Sequence, residues 1–302
     1  MELLIGTSGY DYKEWKGVFY PDTLKHADFL PFYATQFNSL ELNGTYYKMP
    51  TPAQMQNMIT RTSGKVTFSV KAFQGLTHAP DKSQFRPLAA EFKRALEPLQ
   101  NGSHLLCALL QFPQSFHYEK DERIYLDLLL KELSGIPIVV EMRNVKWQND
   151  QVYNALRQRQ TGWCITDNPS QLLQGNTELT NNAVSRSPNI IPCRNEGGYA
   201  SANTVDTALK NLPKLEFLST SPIAYIRFHG RNAQMWYTGS NVTRYDYFYT
   251  DAELQAFVAP VKELLKNTKI VQLFFNNHAK SQATVNAKKL EFLIKSETLH
   301  NN

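Results

Sequence analysis

Residues 105–111 read LLCALLQ, six apolar positions in a row closed by a glutamine. The run is far shorter than the roughly 20 residues needed to cross a membrane. It also lacks the polar alternation that would leave one face in water. A strand of this kind is buried on both faces, as in a parallel sheet covered by helices. Working outward, similar short runs occur at 3–6, 39–43, 66–71, 137–143, 162–167, 224–229 and 270–276, the last including IVQLFF. That makes eight.

Helical signals separate most of these runs. Thr51 followed by Pro52 is an N-cap with proline at the first helical position. Thr250 and Glu253 have capping-box spacing ahead of ELQAFV. Asp121 opens the amphipathic DERIYLDLLLKEL, and Ala283, Ala287, Leu290 and Ile294 share one helical face. Strand–helix order repeated eight times implies right-handed parallel crossovers. Eight units favour closure into a (β/α)8 barrel over an open doubly wound sheet. The length of 302 residues suits one such barrel spanning 1–302. The stretch 174–221 does not fit the alternation. It is rich in Asn, Ser, Thr, Pro and Gly, and reads as an enlarged, irregular insertion between strands six and seven, with one helix at about 204–212.

Composition excludes several classes. The net charge of +5 is a mild basic excess without a basic stripe or tail. It suits an anionic small ligand better than a dedicated nucleic-acid binder. The three cysteines, Cys107, Cys164 and Cys193, form no CxxC or zinc spacing. The start, MELLIGTSGY, lacks a signal-peptide pattern, and no apolar run is of membrane-spanning length. These features lead to the expectation of a cytoplasmic protein with no membrane contact. Oligomeric state is left open. Walker A, GxSxG and HExxH motifs are absent.

The strand ends carry the chemistry. They offer Glu41 and Asn43, Lys71, Gln111, Glu141 and Arg143, Asp167, Arg227 and His229, and then Asn276 and Asn277. A parallel barrel brings all of these ends to one rim, where barrel enzymes build their sites. The period of two turns Glu141 and Arg143 the same way, and likewise Glu41 with Asn43 and Arg227 with His229. The mixed charge suits an anionic or phosphorylated ligand held by cations, with a carboxylate placed for proton transfer. Arg143 paired with Glu141 or Glu41 would instead be structural. Tyr10, Tyr46, Trp147 and Tyr237 lie in the following loops, where they either stack on a ligand or pack the loops together.

Several segments together resemble the domain of unknown function 72, or YecE-like, family. They are IGTSGYDYKEWKGVFYP at 5–21, FNSLELNGTYYKMPTP at 37–52, FSVKAFQGLTH at 68–78, LLQFPQSF at 109–116, VVEMRNVKW at 139–147, AYIRFHGRN at 224–232 and FFNNHAKSQATVNAKKL at 274–290. The resemblance runs along nearly the whole chain. It implies a TIM-barrel-like fold and supplies no reaction. The sequence departs from the pattern at 174–221, which is longer than usual, and at Tyr10, where many relatives have tryptophan.

Three functions follow as expectations. The first is an enzyme (hydrolase, lyase or isomerase) acting on a small anionic sugar or nucleotide derivative. In it Glu41, Glu141, His229 and Asp167 are catalytic. Lys71, Arg143, Arg227, Asn43, Gln111, Asn276, Asn277 and the four aromatics bind ligand, and no cofactor is needed. The second is a metal-dependent hydrolase or isomerase, including a phosphodiesterase, with a divalent ion on Glu141, Asp167 and His229. The third is a non-catalytic nucleic-acid-binding protein.

Overall fold

The computed structural model describes residues 1–78, 83–169, 215–236 and 238–299. Eight parallel strands close into a barrel in chain order. They are β1 (Glu2–Ser8), β2 (Ser39–Leu42), β3 (Thr67–Lys71), β4 (Leu105–Phe112), β5 (Ile138–Met142), β6 (Gly162–Asp167), β7 (Ile223–Phe228) and β8 (Ile270–Phe275). The ring is completed where β8 pairs with β1, from Glu2 opposite Ile270 to Thr7 opposite Phe275. Each expected run overlaps one of these strands, with the ends differing by at most two residues. Most of the expected 174–221 insertion, with its helix, lies outside the described residues. Residues 215–222 lead into β7 without helix or strand.

The larger helices are α2 (Pro52–Arg61), α3 (Phe85–Asn101), α4 (Lys120–Glu132), α5 (Asp150–Gln158), α7 (Asp251–Asn267) and α8 (Gln282–Leu299). Two short ones, α1 (Phe29–Tyr33) and α6 (Asn241–Arg244), precede α2 and α7. Both expected caps form. The Thr51 hydroxyl accepts from the Gln54 amide, and Thr250 from Glu253, each reciprocated as a capping box. Helix α4 starts one residue before the expected Asp121, without a side-chain cap. The shared face of α8 is confirmed, with Ala283, Ala287, Leu290 and Ile294 all buried.

Apolar side chains separate into two clusters by strand parity. The larger lies between strands and helices. The smaller fills the barrel interior with Cys107, Leu109, Val139, Cys164, Tyr225 and Phe274. Within the barrel the Ser69 hydroxyl also donates to Gln272 Oε1 at 2.7 Å. These residues fix which positions face inward. Two residues beyond Tyr225, Val139 and Leu109 come Arg227, Glu141 and Gln111. Gly6 on β1 leaves room for the neighbouring β2 backbone, since a Cβ there would lie 2.0 Å from the Ser39 carbonyl oxygen. The Tyr33 hydroxyl locks the same corner, donating to that oxygen and accepting from the Thr7 amide at 3.0 Å.

Candidate functional site

At the C-terminal rim Arg227 is buried to 2 % exposure between two carboxylates. Its Nη2 donates to Glu41 Oε1 at 2.7 Å and its Nη1 to Glu141 Oε2 at 2.6 Å. The other oxygen of each carboxylate is also engaged. Tyr225 donates its hydroxyl to Glu41 Oε2 at 2.6 Å, and Arg143 Nε donates to Glu141 Oε1 at 2.5 Å. Strands β2, β5 and β7 are thus tied across the interior by charge. Buried charges persist only when paired and hydrogen-bonded in this way.

The network sets the protonation states. Burial alone would push the Glu141 carboxyl up, but the Arg143 and Arg227 guanidiniums hold it well below the usual carboxylate range. Burial also opposes the charge on Arg227, and Glu41 and Glu141 more than restore it. His229 is wholly buried. Burial, and then the positive fields of Arg227 and Arg143, lower its pKa to about 3. Its Nδ1 faces the Asn276 amide nitrogen at 3.0 Å, which assigns the proton to Nε2. That Nε2 has no hydrogen-bond partner among the described residues and stands 3.8 Å from Glu141 Oε1.

Lys71 closes the β3 side. Its ammonium donates to Gln111 Oε1 at 2.8 Å and lies 4.3 Å from the centre of the Tyr46 ring. Burial, then the nearby positive charge of Arg227, lowers its pKa to about 7. Gln111 Nε2 in turn lies 3.4 Å from His78 Nε2. Asn43 keeps a buried, unpartnered Oδ1. It lines a cavity of about 540 Å³ with Tyr10, Tyr12, Tyr47 and Met55.

The rim therefore gathers Glu41, Lys71, Gln111, Glu141, Arg143, Arg227, His229 and Asn276, with Asn43 and Tyr46 beside them. Three expected members lie elsewhere. Cys164 faces inward, so Asp167, three residues on, faces the helices. There Asp167 is clamped by Arg231 at 3.0 Å and accepts the Tyr249 hydroxyl at 2.6 Å. Asn277 follows the inward Asn276 and so points outward, donating to Asn286 Oδ1 at 2.9 Å. Trp147 is buried against Phe116 and donates its indole N–H to the Phe116 carbonyl, so it packs the loops together. Tyr237 lies outside the described residues.

Two contributors, Tyr225 and Arg231, escaped the sequence reading of the site. Tyr225, the partner of Glu41, could have been found by counting back two from Arg227. Arg231 needed knowledge of which way Asp167 points. Two aromatics of the loop after β7 also stand at the rim, Trp236 at 5.7 Å from the Arg143 guanidinium and Tyr245 at 5.9 Å from His229. Among the described residues no three His, Cys, Asp or Glu side chains are grouped to hold a metal. The Glu141, Asp167 and His229 set is not assembled, because Asp167 is on the other side of the sheet.

Comparison with known proteins agrees with this architecture. The family model described as "Protein of unknown function DUF72" matches residues 4–301. UPF0759 protein YunF of Bacillus subtilis is 27% identical over 306 residues, covering 98% of this chain and 95% of that protein. A DUF72 family crystal structure from Thermotoga maritima superposes with a TM-score of 0.77 at 29% identity, covering 98% of this chain and all of the other. A second, from Enterococcus faecalis, gives 0.73 at 19% identity over 97% and 95%, a likeness of fold. With the family model matched along nearly the whole length, the chain belongs to the DUF72 family.

Proposed function

We propose that the rim binds a small anionic ligand, a phosphorylated sugar or nucleotide derivative, and acts on it as an enzyme. The observation that carries this reading is the open guanidinium of Arg143 at the rim. Two guanidiniums, Arg227 and Arg143, stand beside two carboxylates, Glu41 and Glu141, with the Lys71 amine on the β3 side. Arg227 is consumed by those carboxylates. Arg143 is not: its side chain keeps 20% exposure, and among the described residues only its Nε is engaged. A guanidinium fixed through Nε presents its two terminal nitrogens as a fork, which matches a phosphate or carboxylate. Glu141 acts as the fixed anion that orients this fork. Glu41 accepts from Arg227 and from the Tyr225 hydroxyl, so in this reading it moves a proton only once one of those bonds is released, and the neutral His229 offers Nε2–H as a donor without charge.

The test is titration calorimetry with inorganic phosphate at low salt. The wild-type chain binds it, and Arg143→Gln weakens binding by about tenfold or more, the worth of hydrogen bonds to a charged group. Phosphate that fails to bind, or binds both proteins equally, overturns the reading.

A further inference from the structure

We propose that Lys71 is a nucleophilic amine that forms an imine with a carbonyl carbon of the ligand, so that the substrate class is a phosphorylated aldehyde or ketone. The inference rests on the anion-binding reading of the rim and adds a covalent step to it. A lysine taken out of water is ordinarily paired with a carboxylate. Among the described residues none lies within ion-pairing distance of Lys71, although Glu41 and Glu141 share its rim. Both are saturated by Arg227, Arg143 and Tyr225. The amine is instead held by a neutral amide, Gln111 Oε1, and an aromatic face, Tyr46. It is fixed in direction and left with lone-pair chemistry once deprotonated.

The surroundings favour the neutral form. Tyr46 reaches Lys71 from the loop after β2, His78 from the loop after β3, Gln111 from β4, Glu141 and Arg143 from β5, and Arg227 from β7, with Glu41 on β2. Burial and the two guanidiniums outweigh the two carboxylates, which leaves a pKa of about 7. About half the amine is then free at neutral pH, against roughly one part in a few thousand for an ordinary lysine. His78, lowered to about 4 by burial and then by Lys71, adds no positive charge of its own at neutral pH.

The step balances without a cofactor. Nζ adds to the carbonyl carbon, and the carbonyl oxygen takes up a proton to give a carbinolamine. That oxygen then leaves as water, carrying both hydrogens lost by nitrogen, and a C=N bond remains. Arg143 holds the phosphate of the same molecule.

The experiment uses the full chain with glycolaldehyde phosphate, followed by borohydride, which reduces the imine to a stable secondary amine. Peptide mass mapping of the wild-type protein is expected to place the adduct on Lys71. Labelling there should exceed that of any exposed lysine at least tenfold and rise with a midpoint near pH 7. Lys71→Met should lose this adduct, and excess inorganic phosphate should suppress it. Adducts spread over exposed lysines without excess at Lys71 overturn the inference, whether or not the variant folds. If inorganic phosphate binds but Lys71 is unlabelled, the imine alone fails. If unphosphorylated glycolaldehyde labels Lys71 while phosphate does not bind, the anion reading fails and the amine chemistry stands.

Discussion

Arg227 donates from Nη1 to the Glu141 carboxylate at 2.6 Å, with both side chains shut off from solvent. Removing the guanidinium would leave Glu141 and Glu41 as buried carboxylates without their shared partner. Arg227→Met is therefore expected to cost about 3–5 kcal/mol of stability, read by urea denaturation. Adding Glu41→Gln and Glu141→Gln to it should recover part of the loss, because the uncompensated charge is gone.

The pair Asp167 and Arg231 belongs to the outside of the barrel. Asp167→Asn should lower stability by about 1–3 kcal/mol, since it weakens a buried acceptor of three Arg231 contacts and the Tyr249 hydroxyl. Phosphate affinity measured by calorimetry should stay within twofold of wild type. A tenfold fall in affinity would return Asp167 to the ligand site.

His229 makes stability depend on pH with a definite sign. Its folded-state pKa of about 3 lies below the ordinary 6.5. Between those values the unfolded chain binds a proton that the folded chain does not, so stability falls as pH falls through that window. Above about 6.5 neither state carries the proton. Glu141, held low, adds a loss of the same sign below about 4.5. His229→Gln removes only the first contribution. The stability gap between wild type and variant should therefore shift by about 3 kcal/mol in the variant's favour between pH 7 and pH 4. Denaturation curves at the two pH values check it.

Gly6→Ala places a methyl group 2.0 Å from the Ser39 carbonyl oxygen, a backbone atom that cannot step aside. The β1–β2 pairing must open to admit it. A loss of about 3 kcal/mol or more is expected, visible as a drop in thermal midpoint, with β1 amides losing hydrogen-exchange protection.

The fold was legible because burial on both faces writes itself as continuous apolar runs, and because caps such as Thr51 and Thr250 are local chemistry. The rim was legible where period two could be anchored, as for Glu141 with Arg143 and Arg227 with His229. It failed at Asp167 and Asn277, because a polar residue ending a strand says nothing about which face it takes. Only the inward neighbours, Cys164 and Asn276, settle that. Trp147 stayed open between its two readings for a related reason: an aromatic in a loop reads the same whether it covers a ligand or covers Phe116. The unpaired state of Lys71 could not be read from sequence at all, since it depends on Arg227 having already taken both carboxylates.

The tie among Glu41, Glu141 and Arg227 also bears on how the ring comes together. Glu41 belongs to the first four strands, Glu141 and Arg227 to the last four. Neither half-barrel is a self-sufficient module, because each would present charge whose counterpart lies in the other. Without β7 the ring would leave Glu141 with Arg143 alone and Glu41 with no guanidinium against it. Arg227 is the keystone: electrical neutrality of the interior and mechanical closure of the ring depend on the same side chain.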